Sequence, residues 1–110
     1  MSVPFSHFAD LQIVVGNIVE VSVVPEADRL LRLLVDIGED VPRQVISGIR
    51  DYIDDEQSLV GTQCAFVINL EPRTIRGYES QGMILAAHAG DSFSLLVPSI
   101  DDLPAGTPVR

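Results

Sequence analysis

The residues of this chain best suited to chemistry are its arginines, which make up all seven of its basic side chains. Six of them, Arg29, Arg32, Arg43, Arg50, Arg73 and Arg76, fall in one stretch, while the acidic residues are spread more evenly. A planar guanidinium forks onto phosphate and stacks on exposed bases, so this concentration points to an anionic ligand. The same arginines would equally suit solvated charge on the outer faces of strands. Tyr78 stands between Gly77 and Glu79, away from any apolar run. Its ring could stack on an unpaired base or cover the mouth of a core. Asn69, Ser47 and Ser80 could hydrogen-bond a base or ribose, or hold turns through nearby backbone. Met83 beside Gly82 could line such a site, although it reads more simply as a core methionine.

Other chemistries are poorly supplied. Asp36, Asp40, Asp54, Asp55, Asp101 and Asp102 lie in turns with no His or Cys at useful spacing, and solvation explains them better than acid–base catalysis. There is no nucleophile elbow, P-loop or dinucleotide fingerprint, so no enzyme is expected. His7, His88 and the single Cys64 are too scattered for a metal centre, and no cofactor is expected. A length of 110 residues with 46% hydrophobic content makes one globular domain that needs no disulfide or metal. No apolar run reaches the roughly 18–20 residues of a membrane span, and the N-terminus lacks the pattern of a secretory signal. Together with the lone cysteine, this points to a cytoplasmic protein. Sixteen acidic residues give a net charge of −9, which argues against a general nucleic-acid binder. Screening over about 8 Å still lets a local arginine cluster act at contact.

The elements that must carry these residues are mostly strands. Gln12–Val24 is rich in Val and Ile, and the internal Gly16 marks an expected bulge or bend. A turn at Pro25–Asp28 leads to a second strand over Leu30–Asp36, and an acidic connection over Gly38–Pro42 to a third at Gln44–Ser47. Asp54 and Gln57 stand at capping-box spacing, predicting a short helix through about Leu59 that Gly61 stops. Strands at Gln63–Ile68 and Met83–His88 bracket a polar loop punctuated by Pro and Gly, and long loops between core strands usually carry function. A Gly90-Asp91 turn precedes a further apolar run, Ser92–Val97. Five strands with a helical piece between the third and fourth is the order of an all-β OB barrel. The single domain, 1–110, then divides into a core of about 8–90 and a C-terminal extension of about 91–110. The extension carries Phe93, Leu95, Leu96, Val97, Ile100, Leu103 and Val109, more apolar surface than the barrel needs. It either forms a homodimer interface or caps the open end of its own barrel.

Residues 69–87 read NLEPRTIRGYESQGMILAA. Asn69, Leu70, Pro72, Ile75, Gly77, Ser80, Gly82 and Met83 fit an Asn-Leu-x-Pro-x-x-(Ile/Leu/Met)-x-Gly-x-x-Ser-x-Gly-Met pattern. That pattern resembles the tRNA-binding OB domains, which occur as free-standing proteins and at the C-terminus of methionyl-tRNA synthetases. Leu11–Ile18, Pro25–Leu30, Val35–Gly38, Ile46–Ile49 and Pro104–Gly106 resemble further landmarks of the family, so the likeness runs nearly the whole length. OB barrels meet their ligands through strands two and three and the loops joining strands one to two and four to five, here Pro25–Arg29, Leu30–Ser47 and Asn69–Gly82. The six arginines fall in or beside those elements.

The resemblance implies a non-catalytic, structure-specific tRNA-binding protein. Arg73 and Arg76 would hold phosphate or stack, Arg29 and Arg43 would flank the path, and Tyr78 would stack. Ser47, Asn69, Ser80 and Met83 complete the candidate RNA-binding set. Several positions that are commonly basic in relatives are Val14, Asn17, Leu34, Glu71 and Thr74 here, which implies weaker RNA affinity with a shallow salt dependence. The same family includes chaperones of the CsaA type, implicated in protein export, and an acidic groove would suit basic segments of unfolded polypeptide. A docking module for an aminoacyl-tRNA synthetase is a third possibility. Free-standing relatives dimerise through a C-terminal extension joined by the N-terminal segment, which here would enlist Phe5 and Phe8. A two-fold dimer would set two arginine-bearing faces on one particle.

Overall fold

Alternation of inward and outward side chains builds the barrel wall strand by strand. The computed structural model describes residues 1–110. In β2 (Leu31–Asp36), Leu31, Leu33 and Val35 are fully buried, while Arg32, Leu34 and Asp36 remain partly exposed. β1 (Ile13–Val23) is long enough to serve two partners. Its second half pairs with β2 and its first half with β4 (Gln63–Val67). β3 (Arg43–Ser47) flanks β2, and β7 (Met83–Ile84) flanks β4, so the antiparallel order is β3-β2-β1-β4-β7. The two outer edges curl toward each other, and the Gln81 N–H donates to the Gln44 carbonyl at 2.8 Å. The result is the nearly closed, five-stranded OB barrel that the strand order predicts.

Ile18, Leu31, Leu33, Val35, Cys64 and Phe66 form the centre of the core. Gly16 belongs to this packing and not to a bulge. A Cβ there would stand 2.6 Å from Val35 Cγ1 and 2.9 Å from Phe66 Cδ2. The irregularity in β1 comes later, where the register slips between Ile18 and Glu20 and Val19 is left exposed.

The helical piece between β3 and β4 is two 3₁₀ turns, Arg50–Tyr52 and Glu56–Leu59, where the capping spacing predicts one short helix. Asp55 caps the second, its Oδ1 accepting from the Gln57 N–H at 3.1 Å, and Gly61 ends it at a φ of 91°. The expected strand Met83–His88 divides at Leu85. β7 stays with the barrel, and β8 (Ala86–Ala89) turns away to pair with β9 (Ser92–Leu95) across Gly90-Asp91. Tyr52 stacks on Phe93, with centroids 4.7 Å apart, and seats this hairpin on the first 3₁₀ turn.

The C-terminal segment then runs back along its own barrel. The Ala65 N–H donates to Leu96 O at 3.0 Å, and the Gln63 side chain both donates to and accepts from the Leu103 backbone. The Val15 N–H donates to Thr107 O at 2.9 Å, and β10 (Pro108–Val109) pairs with Ile13 and Val14. Phe93 and Leu95 pack on the core, while Leu96, Val97, Ile100 and Val109 stay exposed. An N-terminal helix, α1 (Phe5–Asp10), has no buried residue. No helix is long and apolar enough to cross a membrane.

Burial pushes the Cys64 thiol up to about 12, and the side chain has no exposed surface. The raised value keeps the nucleophilic thiolate unpopulated through neutral and mildly alkaline pH. The native protein should therefore resist a disulfide reagent at about pH 8, below even the ordinary thiol value of about 8.5, and react fully once denatured. Rapid labelling of the folded protein, followed by absorbance, would show instead that β4 opens readily.

Candidate nucleic-acid interface

Closing the barrel requires the edge of β3 to meet the chain around residues 80–82, and polar side chains make most of that seam. The Ile46 N–H donates to Ser80 Oγ at 3.0 Å, and the Ser80 hydroxyl donates onward to Gly82 O at 3.1 Å. The Gln44 N–H donates to Gln81 Oε1 at 3.0 Å, and Gln44 Nε2 donates to Glu79 O at 2.8 Å. Arg32 Nε donates to Gln44 Oε1 at 2.5 Å, so β2 is also drawn into the network. Gly82 lies close against β4, where an added Cβ would press on Val67 O at 3.2 Å.

This seam carries a hairpin inside the segment that the sequence presents as a loop. β5 (Arg73–Ile75) pairs with β6 (Tyr78–Ser80), and Arg76 and Gly77 turn between them at φ values of 53° and 84°. Two consecutive positive φ values are what a two-residue type I′ hairpin needs. The signal was a pair of short β-capable stretches around Arg76-Gly77, obscured because Asn or Asp is the usual first turn residue. On one face, Ile75 and Tyr78 pack against Val24, Ala27 and Ile46. Tyr78 is thus held as a half-buried cover over the barrel mouth. Arg73 and Arg76 are exposed, and neither makes an ion pair or hydrogen bond.

Other candidate residues divide by what they already hold. Asn69 ties the N-terminal segment down, its Oδ1 accepting from the Gln12 N–H at 2.8 Å and its Nδ2 donating to Asp10 O at 2.7 Å. Arg43 Nη1 donates to Ile68 O at 2.5 Å and Gln81 O at 3.2 Å, while its Nε and Nη2 donate to the Glu39 carboxylate. That pairing holds Glu39 below the usual carboxylate range and raises Arg43 above its ordinary value. Arg29 is exposed on the β1–β2 turn, with Nε 3.5 Å from Asp51 Oδ2. Ser47 is half-buried at the end of β3, opposite Leu31. Met83 is 45% exposed and does not enter the core as its apolar neighbours suggest. It lines a small cleft of about 90 Å³ with Leu70, Glu71, Arg73 and Ile75. The structure therefore gathers Arg73, Arg76, Tyr78, Ser80 and Met83 around one hairpin, sets Arg43 and Asn69 in or beside the seam, and leaves Arg29 and Ser47 on adjoining elements. Gln44 and Gln81 escaped notice because only the folded seam makes them partners.

Residues 13–108 match the family described as "Putative tRNA binding domain". The chain belongs to this tRNA-binding domain family. It is 46% identical over 96 residues to a methionine–tRNA ligase of Thermococcus kodakarensis, covering 87% of this chain and 13% of the ligase. The chain thus spans about an eighth of that relative's length, and the match leaves most of the ligase uncovered. A MetRS-related protein from Pyrococcus horikoshii superposes with a TM-score of 0.88 at 31% identity, covering 100% of this chain and 99% of that one. The chaperone CsaA of Bacillus anthracis superposes with a TM-score of 0.87 at 25% identity, covering all of both chains.

Ser80 is the one buried polar side chain here, at 6% exposure. Replacing it with alanine leaves the Ile46 N–H without its partner across the seam. A buried donor left unsatisfied costs about 1–3 kcal/mol, so Ser80→Ala should lower the urea midpoint with an unchanged m-value. Unaltered stability would mean that the seam does not depend on this hydroxyl.

Proposed function

We propose that this chain is a non-catalytic, structure-specific tRNA-binding protein that works in the cytoplasm. The observation that carries the reading is the β5–β6 hairpin, which presents Arg73 and Arg76 exposed and unpaired beside the cleft at Met83. Family membership supports tRNA as the ligand class. Arg73 and Arg76 contact phosphate or stack on unpaired bases, and Arg29 and Arg43 flank the path. Tyr78 offers an edge or the exposed part of its ring, since its packing on Val24, Ala27 and Ile46 limits full stacking. Ser47, Asn69, Ser80 and Met83 shape the surface around these contacts. The net charge of −9 makes contact local, so affinity is modest and its salt dependence shallow. Filter binding with total tRNA tests this. Arg73→Ala/Arg76→Ala should weaken binding about tenfold and reduce the salt slope by about 1 to 2. No binding by the unaltered protein, even at low salt, would defeat the reading.

A second reading is favoured by the full-length likeness to CsaA. In it the chain holds extended polypeptide, and the acidic balance draws basic segments. Peptide-array binding with and without competing tRNA separates the two, because a shared surface makes the ligands exclude one another.

We also propose that the protein is a homodimer. The exposed Phe5 and Phe8 of α1 line an apolar groove of about 500 Å³ with Leu11, Val14, Pro108 and Val109. A helix with no buried residue gains little from its own chain, and apolar surface gathered at both termini suits a two-fold partner. Light scattering at micromolar concentration should give twice the monomer mass, and Phe5→Ser/Phe8→Ser should shift it toward the monomer. A concentration-independent monomer mass would refute the dimer.

A further inference from the structure

The guanidinium of Arg43 is held on two edges by different kinds of partner. Its Nη1 donates to two backbone carbonyls, Ile68 O just after β4 and Gln81 O just before β7. Those bonds orient the opposite edge without help from any acid. That second edge, Nε and Nη2, donates in parallel to Glu39 Oε1 and Oε2 at 2.9 and 3.0 Å. It is the same two-pronged edge that guanidinium offers to a pair of phosphate oxygens.

From this geometry we propose that the Arg43 fork is a phosphate subsite that Glu39 occupies as an intramolecular competitor, and that an RNA phosphate binds there by displacing the carboxylate. The proposal rests on the RNA-binding reading of this face and names a subsite within it. Three observations support it. The fork opens on a cleft of about 520 Å³ whose walls include Val41, Pro42, Leu70 and Pro72, apolar surfaces suited to the ribose or base beside a bound phosphate. Leu70 also lines the cleft at Arg73 and Met83, so the subsite adjoins the exposed hairpin arginines. Glu39 lies on the exposed connection between β2 and β3, and its side chain has no hydrogen-bond partner except Arg43. The Glu39 half of the pair is open to water, its side chain 49% exposed against 25% for Arg43, so the carboxylate can leave into solvent while the guanidinium stays in place.

The consequence is that one of the face arginines is masked in the free protein and joins the ligand only at the loss of its own ion pair. Inorganic pyrophosphate, a minimal mimic of the backbone, tests this without relying on tRNA. The Nε–H resonance of Arg43 is followed in ¹⁵N spectra of the unaltered protein, of Glu39→Gln and of Asp40→Asn. Asp40→Asn removes the same charge from an adjacent carboxylate that has no partner. Glu39→Gln should lower the pyrophosphate midpoint by about two- to fivefold, the range of a solvent-accessible ion pair, and Asp40→Asn should change it far less. Arg43→Lys in the Glu39→Gln background should abolish the gain, because a lysine keeps the charge and loses the fork. An Nε–H that does not move in Glu39→Gln, equal midpoints with and without Glu39, or a gain matched by Asp40→Asn would overturn the proposal. The tRNA titration stands apart: its failure removes the RNA reading, whereas the pyrophosphate result decides whether the fork takes phosphate.

Discussion

The barrel depends on closing a sheet whose last edges cannot form a full ladder. β7 is two residues long, and one backbone bond, Gln81 to Gln44, links β3 to the segment before it. Unpaired edge groups facing one another in a half-buried seam would be costly. Ser80, Gln81, Gln44 and Arg43 supply the missing partners, so the seam is closed by side chains where a ladder would be too short. This constraint also places the hairpin. β6 ends at Ser80, and pinning Ser80 to Ile46 fixes the direction in which β5 and β6 project.

Charge is sorted by the same architecture. The molecule is strongly acidic overall, yet its arginines experience different surroundings. Arg32 is bonded to Gln44, Arg43 to Glu39 and two carbonyls, and Arg29 lies near Asp51. Arg73 and Arg76 have no such partners and stand on a hairpin whose opposite face is anchored by Ile75 and Tyr78. Rigid anchoring beneath an exposed cation lowers the entropy lost on contact, which matters more where the long-range field is unfavourable. Glu71 lines the adjacent cleft and sets a carboxylate beside these arginines.

The C-terminal segment does two things at once. Its backbone and its first apolar residues complete the core, through Phe93, Leu95 and the pairing of β10 with β1. Its remaining apolar side chains, with those of α1, are left outside. Capping its own barrel and offering a surface to a partner are therefore compatible roles for one segment.

Local pattern determined much of this in advance. Alternating or continuous apolar runs located the main strands, and turn residues located the β8–β9 hairpin, because side-chain period and backbone preference are properties of neighbouring residues. The spacing of Asn69, Pro72, Gly77, Ser80 and Gly82 was enough to identify the family. Arg73 and Arg76 were also legible as candidates, since a cation in a polar segment needs no tertiary partner to be noticed. Tertiary structure alone decided which polar residues hold the barrel and which remain free. Ser80, Asn69 and Arg43 bond groups 34, 59 and 38 positions away, and no local pattern encodes such partners. It also decided that Gly16 serves a close contact and not a bulge, and that Met83 faces outward. Both outcomes depend on which atoms lie across the barrel, a matter settled only when the two ends of the sheet meet.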